Sequence, residues 1–338
     1  MKAPHVSIVT PTHNRERLLK EMLEKLAEQT YPADMFEVLV VVDGGTDGTP
    51  EMLASLSLPY RLRVIRQEQS GPSVARNRGA REALGEVLIF LDDDLLPIPE
   101  LVREHLKAHD EDAQAVVLGR FLAAKGEKKG GWNVWEEQVL DKHYQRLETG
   151  KRTPAGRRLY SGNFSVRKDL FLGAGGFDAT LKRGEDVELG LRLERHGLRF
   201  HFNPAAAAVH RGFRSFVSWC NSAYMYGRCD VELTHIQGHR DVLPQALSWF
   251  HKLSAPTRWV IHLTVGRGRL RASAIWALKA TAGVLNACGL HRFSHYGYGA
   301  IYKLQYWQGV TDALGGREAF EERTRQAARE GMEMGVVK

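Results

Sequence analysis

Residues 87–94 of the 338-residue chain have the sequence VLIFLDDD, a run of apolar side chains that ends in three consecutive aspartates. Such a run is typical of a strand buried on both faces of a parallel sheet. Ligands of open α/β sheets bind beyond the carboxyl ends of the strands, where Mg2+ or Mn2+ takes carboxylate and phosphate oxygens as ligands. The stretch therefore predicts a site for a divalent cation and a diphosphate. A solvated acidic turn before Pro97 and Pro99 is the alternative.

The sequence around this stretch predicts an α/β fold. Short apolar strands alternate with amphipathic helices from residue 5 to about residue 120, the pattern of a mostly parallel, Rossmann-like sheet with helices on both faces. Asn14 is expected to cap the first helix, and Pro50 and Pro72 stand where a first helical turn tolerates proline. The expected strands are residues 5–10, 37–42, 62–66, 86–91 and 115–119.

Residues 120–158 interrupt this alternation. Glycine- and lysine-rich segments flank a stretch that contains Trp132 and Trp135, so we expect a long excursion with a short helix at its centre. Long insertions in compact domains are commonly binding loops. The two tryptophans would stack on a ligand or anchor the excursion by hydrophobic packing.

Residues 213–338 are expected to form a basic, aromatic-rich helical C-terminal region, separate from a domain at 1–212. Lys and Arg number 17 against 9 Asp and Glu in residues 211–338, whereas residues 1–210 hold 30 against 31. Cationic regions attract the phosphates of anionic lipids or nucleic acid. We expect no nucleic-acid partner, and a role in packing, homodimerisation or membrane-surface association. Residues 272–290 would form a buried helix or one in the headgroup plane.

The composition is that of an ordinary globular chain, with 43% hydrophobic residues. The first residues carry no apolar signal region, and Cys220, Cys229 and Cys288 form neither a disulfide framework nor a close metal-binding spacing. We therefore expect a cytoplasmic protein, either free or peripheral on the inner face of the plasma membrane.

A second acidic loop follows the second expected strand. Asp43 ends that strand and is followed by Gly44 and Gly45. In a parallel sheet this loop lies at the same edge as Asp92 and Asp94, and its glycines permit close approach of a ligand. Asp43 could accept a hydrogen bond from a base or ribose; a plain Gly/Asp turn is the alternative.

Several motifs together resemble family 2 glycosyltransferases over roughly residues 4–212. They occur in the family's order, which makes the combination more specific than any single motif. The motifs are residues 6–15 (VSIVTPTHNR), 41–49 (VVDGGTDGT), 71–79 (GPSVARNRG), 91–94 (LDDD), 162–168 (GNFSVRK), 175–178 (GGFD) and 184–189 (GEDVEL).

The resemblance implies a GT-A fold and an inverting, metal-dependent transfer of a sugar from a nucleotide diphosphate to an acceptor hydroxyl. Asp92 and Asp94 match the Asp-x-Asp motif that binds Mn2+ or Mg2+, with Asp94 as the principal metal ligand. His210 matches a third metal ligand of some members. A carboxylate must also take the acceptor proton from the other face of the sugar; Asp186 matches the family's base, and Glu185 would orient it or bind the acceptor.

The resemblance also implies a nucleotide-binding edge, in which Asp43 contacts the base. Val42 replaces the first of two aspartates that the family usually has there. Arg76 and Arg211 are candidates for phosphate contacts, or else for surface ion pairs. Trp132 and Trp135 are candidates for stacking on an acceptor sugar, and Arg211 also for the acceptor. The expected nucleotide-sugar contacts are Thr10, Pro11, Thr12, Asn14, Asp43, Gly44, Arg76, Asn77, Asp92, Asp93, Gly162 and Asn163.

The expected partners are a UDP-, GDP- or dTDP-linked sugar and a carbohydrate or lipid-linked acceptor, as in cell-surface polysaccharide or glycolipid synthesis. Two other classes stay open. A nucleotidyltransferase would also place acidic metal ligands on an α/β sheet, although residues 10–14 do not resemble its glycine-rich triphosphate loop. A non-catalytic nucleotide-sugar or membrane-binding subunit would not need all of Asp43, Asp92, Asp94 and Asp186.

Overall fold

The structure, a computed structural model, describes residues 4–236 and 239–333, with side chains up to residue 329. Within these residues the strands form one eight-stranded sheet in the order β3-β2-β1-β4-β7-β6-β8-β5. The strands are β1 (Val6–Thr12), β2 (Phe36–Asp43), β3 (Arg61–Gln67), β4 (Val87–Leu91), β5 (Leu95–Pro97), β6 (Ala115–Ala123), β7 (Asn163–Arg167) and β8 (Arg199–His210).

All of the expected strands are present, but the sheet is mixed. Strands β3, β2, β1 and β4 are parallel neighbours, and β6 and β8 also run parallel. Strand β7 is antiparallel to β4 and β6, and β5 is antiparallel to β8. The prediction of a mostly parallel sheet therefore holds for the part from β3 to β4. Because β7 runs the opposite way, its first residues meet the carboxyl ends of the parallel strands.

Helices cover both faces of this sheet, as expected. Side chains of β2 alternate between the faces: Val38 and Val40 belong to one apolar cluster, and Leu39 and Val41 to the other. Each fully buried side chain of this size stabilises the fold by about 1.5–3 kcal/mol. Helices α1 (Glu16–Leu26), α2 (Thr49–Ser55) and α4 (Leu101–Glu111) contribute to the first cluster; α3 (Pro72–Glu82), α6 (Lys168–Gly173) and α7 (Glu185–Arg195) contribute to the second.

The chain divides into two compact units. One unit contains residues up to 127 and residues 140–212; the other contains residues 128–139 and the chain from Phe213 onward. Helix α5 (Gly131–Glu148) therefore begins in the second unit and ends in the first. The sequence places a boundary after residue 212, but it does not assign residues 128–139 to the helical unit.

Helix α5 is longer than the short helix expected in the 120–158 excursion. Its first half packs Trp135 against Trp219, and its second half stacks Tyr144 on Phe202. The two halves thus bury side chains in different units. No continuous apolar stripe marks the helix in the sequence, which is why its length was not predicted.

The second unit is otherwise helical. Trp307 and Phe250 pack together in its core with Phe320, and Trp219 is fully buried in a second cluster. Throughout residues 4–236 and 239–333, every helix is too short or too polar to cross a membrane. The remaining helices are α8 (Phe216–His235), α9 (Val242–His251), α10 (Ala255–Thr264), α11 (Gly268–Ala287), α12 (His291–Ala313) and α13 (Arg317–Glu333).

Asn14 does not cap α1, contrary to expectation. The helix begins after Arg15, whose side chain makes no capping bond. Asn14 has a left-handed backbone (φ 51°), and its Oδ1 accepts a hydrogen bond from the Thr46 N–H at 2.8 Å. The Asp47 carboxylate instead accepts from the first helical N–H, that of Glu16, at 3.0 Å. The cap comes from a neighbouring loop, so the local sequence could not reveal it.

Candidate active site

The aspartates that follow β4 lie beside the end of β1. These two strands are parallel neighbours, so their carboxyl ends meet at one edge of the sheet. The Thr12 hydroxyl donates to Asp93 Oδ2 at 2.8 Å. Burial raises the pKa of Asp93 to about 6, although Arg15 and Thr12 act in the opposite direction. Asp93, an expected nucleotide-sugar contact, is thus held by Thr12 at the end of β1.

Arg15 is a site residue that the sequence did not reveal. Its Nη1 donates to Asp93 Oδ1 at 2.8 Å and to Asp94 Oδ2 at 2.7 Å. The side chain is 46% exposed, so the guanidinium reaches the acidic cluster from the solvent side. The signal in the sequence was the position of an arginine directly beyond the end of β1, opposite consecutive acids. Its pairing partners lie 78 and 79 residues away.

Asp94 and His210 face each other at the same edge. Leu95 pairs with His210 across β5 and β8, which brings His210 Nε2 to 3.8 Å from Asp94 Oδ2. Gly212 approaches both: a Cβ there would lie 2.2 Å from Asp94 Oδ2 and 2.9 Å from His210 Nε2. A side chain at position 212 would displace the Asp94 carboxylate or the His210 ring from this arrangement.

This pair fits a divalent cation in part. Carboxylate oxygen and imidazole nitrogen are suitable ligands for Mn2+. Two metal–ligand bonds of about 2.1 Å each can span the 3.8 Å between Asp94 Oδ2 and His210 Nε2. Asp92 Oδ1 accepts from Arg76 at 2.6 Å, so its role as a further metal ligand stays a prediction. Among the described residues, no three His, Cys, Asp or Glu side chains converge to form a complete metal site.

Arg76 connects the aspartates after β4 to the acids of α7. It lies on α3 and is 4% exposed. Its Nη2 binds Asp92, and its Nη1 lies 3.9 Å from Glu185 Oε1. Within the described part of the chain, Nε and Nη1 have no hydrogen-bond partner. The guanidinium is therefore held between the Asp92 and Glu185 carboxylates.

Asp186 follows Glu185 in the first turn of α7. Its Oδ1 accepts from the Val187 N–H at 2.8 Å. Burial and, to a smaller degree, the Glu185 carboxylate raise the pKa of Asp186 to about 7. A carboxylate with such a pKa can accept a proton near neutral pH. The structure thus brings Asp92, Arg76, Glu185 and Asp186 together, as the sequence predicted for the acids.

The Asp43 loop lies at the neighbouring strand end. The carboxylate of Asp43 accepts hydrogen bonds from the backbone N–H groups of Ser70 and Gly71 and from Gln67 Nε2, each at 2.8 Å. His13 Nδ1 lies 2.8 Å from the Asp43 carbonyl oxygen. Asp43 therefore orders residues 67–71 in addition to any contact with a base, which stays a prediction.

Two predicted contact residues serve other partners. The Asn77 amide donates to Phe177 O and accepts from Phe177 N, both at 2.8 Å. Asn163 is 1% exposed; it accepts from His105 Nε2 at 2.8 Å and donates to Ala206 O at 2.9 Å. Both amides are used to fix the backbone. We therefore correct the prediction that Asn163 contacts the ligand directly, and assign Asn77 first to loop packing.

Two other predicted contacts differ in their access to the edge. Thr10 is fully buried in β1, so its side chain cannot reach a ligand, and that prediction is corrected. Gly162 does lie at the edge: a Cβ there would stand 2.7 Å from Asp92 Oδ2. Its lack of a side chain allows Asp92 to turn toward Arg76. Pro11 and Gly44 are partly exposed near Thr12 and Asp43, so their expected contacts stay open.

The predicted acceptor residues are occupied elsewhere. Trp132 packs edge-on against Phe216 and donates to Arg214 O at 2.8 Å, while Trp135 packs against Trp219. Both are partly buried and pack against the core of the helical unit, as the anchoring alternative expects, and stacking on a sugar stays a prediction. Arg211 forms ion pairs with Glu127 at 2.5 Å and Glu21 at 3.3 Å. The surface ion-pair alternative therefore describes it.

Comparison with known proteins places this site in a family. The family model described as Glycosyl transferase family 2 matches residues 7–172. Glycosyltransferase AglE of Haloferax volcanii is 40% identical over 232 residues, which cover 68% of this chain and 74% of the relative. Validoxylamine A glucosyltransferase of Streptomyces hygroscopicus subsp. limoneus is 33% identical over 221 residues, covering 58% of this chain; the chain spans about half (49%) of that relative's length.

A solved structure shows the same fold. The mannosyltransferase PcManGT from Pyrobaculum calidifontis, in complex with GDP-Man and Mn2+, superposes with a TM-score of 0.58 at 19% identity. The match covers 92% of this chain and 88% of that one.

Proposed function

Because the chain belongs to glycosyltransferase family 2 and has the GT-A fold that the sequence predicted, we propose that it transfers a sugar with inversion from a nucleotide-diphosphate sugar to an acceptor hydroxyl, in a reaction that depends on a divalent cation. Family membership sets aside the nucleotidyltransferase alternative. The observation that carries the proposal is the link from Asp92 through Arg76 to Glu185, which joins the diphosphate edge to the proposed base.

The leaving diphosphate is assigned to the edge formed by Asp92, Asp94 and His210. Asp94 and His210 would hold Mn2+ or Mg2+, and the bound ion would stabilise negative charge on the leaving phosphates. Arg76 holds Asp92 in place and would add positive charge near the phosphates. A buried cation that is fixed before the reaction needs little reorganisation when charge develops.

The acceptor side is assigned to Asp186. Inversion requires the hydroxyl to attack from the face of the sugar opposite the diphosphate, and a positioned carboxylate can take its proton. The raised pKa of Asp186, about 7, suits that step. Glu185 precedes Asp186 in α7, and its Oε1 lies 3.9 Å from Arg76 Nη1. Its negative charge favours the protonated forms of Arg76 and Asp186.

The nucleoside is assigned to the ends of β1 and β2. Pro11, Thr12, Asp43 and Gly44 stand at these ends, and His13 joins the two loops through the Asp43 carbonyl. The donor would be a UDP-, GDP- or dTDP-sugar. The acceptor would be a carbohydrate or a lipid-linked hydroxyl, as in cell-surface polysaccharide or glycolipid synthesis.

A thermal-shift panel tests the donor proposal. We expect one class of nucleotide sugar, added with Mn2+, to raise the Tm of the full chain more than either ligand alone, because a ligand that binds the folded state stabilises it. Nucleoside monophosphates with the same base serve as the control, since they lack the diphosphate. If no nucleotide sugar shifts the Tm with either cation, the donor proposal is wrong.

Arg15→Gln is expected to bind Mn2+ roughly tenfold more tightly, because Arg15 neutralises the Asp94 carboxylate that the cation needs. Titration of the free protein with Mn2+, followed by electron paramagnetic resonance, measures this without turnover. Arg17→Gln is the matched control: Arg17 lies two residues further on, in the first turn of α1, is 80% exposed and pairs with Glu21 rather than with the cluster. Equal or weaker Mn2+ binding in Arg15→Gln would show that Arg15 does not compete with the ion.

A further inference from the structure

Helix α11 in the second unit turns an apolar face to the solvent. Of its residues, Ala282 alone is fully buried. Ile275 and Leu278 point toward the apolar clusters of the unit, whereas Trp276 is 74% exposed and Val284 63% exposed. The expectation of a buried helix at 272–290 is therefore wrong.

The exposed face forms a continuous stripe. Trp276, Ala280, Gly283, Val284 and Ala287 are all exposed and recur at the spacing of one helix face. The surface continues into the connection and the first turns of α12. We define the α11–α12 surface by its large exposed side chains, which are Leu270, Trp276, Val284, Leu290, Phe293 and Tyr296.

The stretch of chain that carries this surface has charges of one sign. The sequence contains no Asp or Glu between Asp241 and Asp312, so every charged group of this stretch is basic. Arg267, Arg269 and Arg271 lie at the start of α11, and Arg292 lies beside Phe293; Arg267, Arg269 and Arg292 are exposed. The basic residues of residues 242–311 are Lys252, Arg258, Arg267, Arg269, Arg271, Lys279, Arg292 and Lys303.

We propose that the α11–α12 surface docks on an anionic lipid bilayer. An exposed apolar stripe next to arginines is the pattern of a helix that lies in the interface plane, with its apolar side chains in the acyl boundary and its cations at lipid phosphates. Tryptophan and tyrosine favour the same depth.

Charge and apolar character favour a bilayer over a second copy of the chain or a nucleic acid as the partner of this surface. A second copy of the chain would bring the same acid-free, basic surface to this one, and like charges repel. A nucleic acid could pair with the arginines, but Leu270, Val284 and Leu290 would find no apolar partner on a phosphate backbone. An anionic bilayer offers phosphates to the arginines and an apolar layer to Leu270, Val284 and Leu290. The inference concerns the second unit only, so lipid binding can fail while sugar transfer persists, and the reverse.

Flotation of the purified full chain with vesicles tests the proposal. We expect binding to phosphatidylcholine vesicles that contain phosphatidylglycerol, weaker binding at high salt, and little binding to pure phosphatidylcholine. Trp276→Ala is expected to weaken binding roughly tenfold. Replacing Arg267, Arg269 and Arg271 together by Gln is expected to weaken it about 100-fold, near fivefold for each charge.

Matched variants control for exposure and for net charge. Trp249→Ala removes a tryptophan that is 53% exposed on α9, outside the α11–α12 surface. Replacing Arg323, Arg325 and Arg329 by Gln removes the same charge from α13, where acids are interspersed. Both should bind vesicles as the unaltered chain does. Failure to float with anionic vesicles, equal losses in the controls, or concentration-dependent dimerisation that buries Trp276 without lipid binding would each overturn the proposal. Binding to an oligonucleotide in place of the vesicles would do the same.

Discussion

Asp186→Asn is expected to lower turnover by about 100- to 10,000-fold while donor affinity stays within a few-fold. The amide has the shape of the carboxylate but cannot accept the acceptor's proton, and a positioned base contributes a factor of this size. The proposed base follows Glu185, whose Oε1 lies 3.9 Å from Arg76 Nη1, and is not among the proposed diphosphate contacts. Turnover measured at saturating donor, together with donor affinity from calorimetry, separates the two effects.

Asp169→Asn is the matched control for this variant. Asp169 also lies in the first turn of a helix, α6, and its side chain is 68% exposed. Its loss should leave turnover unchanged. Unaltered turnover in Asp186→Asn would remove Asp186 from the mechanism.

The same variant should alter the pH dependence of stability. The folded state holds the Asp186 proton up to a pH of about 7, whereas the unfolded chain releases it near the ordinary value of 3.8. Between these pH values the folded state binds more protons, so this group lowers the free energy of unfolding as the pH rises through that window. We expect the Tm of Asp186→Asn to exceed that of the unaltered chain at pH 8 and the difference to shrink toward pH 4. A constant difference would contradict the raised pKa.

Asp94→Asn is expected to abolish measurable Mn2+ binding and to lower turnover by about 100- to 1,000-fold. The amide keeps one oxygen but loses the charge that pairs with the cation, and removing one group that stabilises the leaving oxygen costs a factor of this order. Asp93→Asn changes the same charge one residue away, at a carboxylate held by Thr12. It should keep most of the Mn2+ affinity.

Mn2+ titration and turnover of the two variants give a direct comparison. Loss of turnover in Asp94→Asn with full Mn2+ binding would place the cation elsewhere or show that transfer does not need it. Addition of a chelator to the unaltered chain completes the test, because a cation-dependent reaction should stop and then resume when Mn2+ is restored.

The strands and the acidic edge could be predicted because their signals are local. Five apolar residues before Asp92 mark a buried strand, and the geometry of parallel strands then places Asp43 and Asp92 at one edge. These two inferences need only a short stretch of sequence and a general rule of sheet structure. The base role of Asp186 came from the resemblance to the family and stays a prediction.

Partner choices within the site could not be predicted because they join distant parts of the chain. Arg15 pairs with Asp93 and Asp94, and Asn14 accepts a hydrogen bond from the loop of Thr46 rather than from its own helix. Asn163 stands next to an edge residue, Gly162, yet its side chain turns inward to His105. At each position the residue type allows either outcome, and the surrounding packing decides.

Helix α5 limits how the helical unit can be exchanged between relatives. A cut after Gly212 would leave Trp132 and Trp135 on the first fragment without Phe216 and Trp219, the aromatic rings that cover them. The two indole side chains would then be exposed to water, and the fragment would tend to aggregate. A chimera that takes its helical unit from a relative must therefore also take residues 128–139 from that relative. The helical unit is thus encoded by two separate segments of the gene.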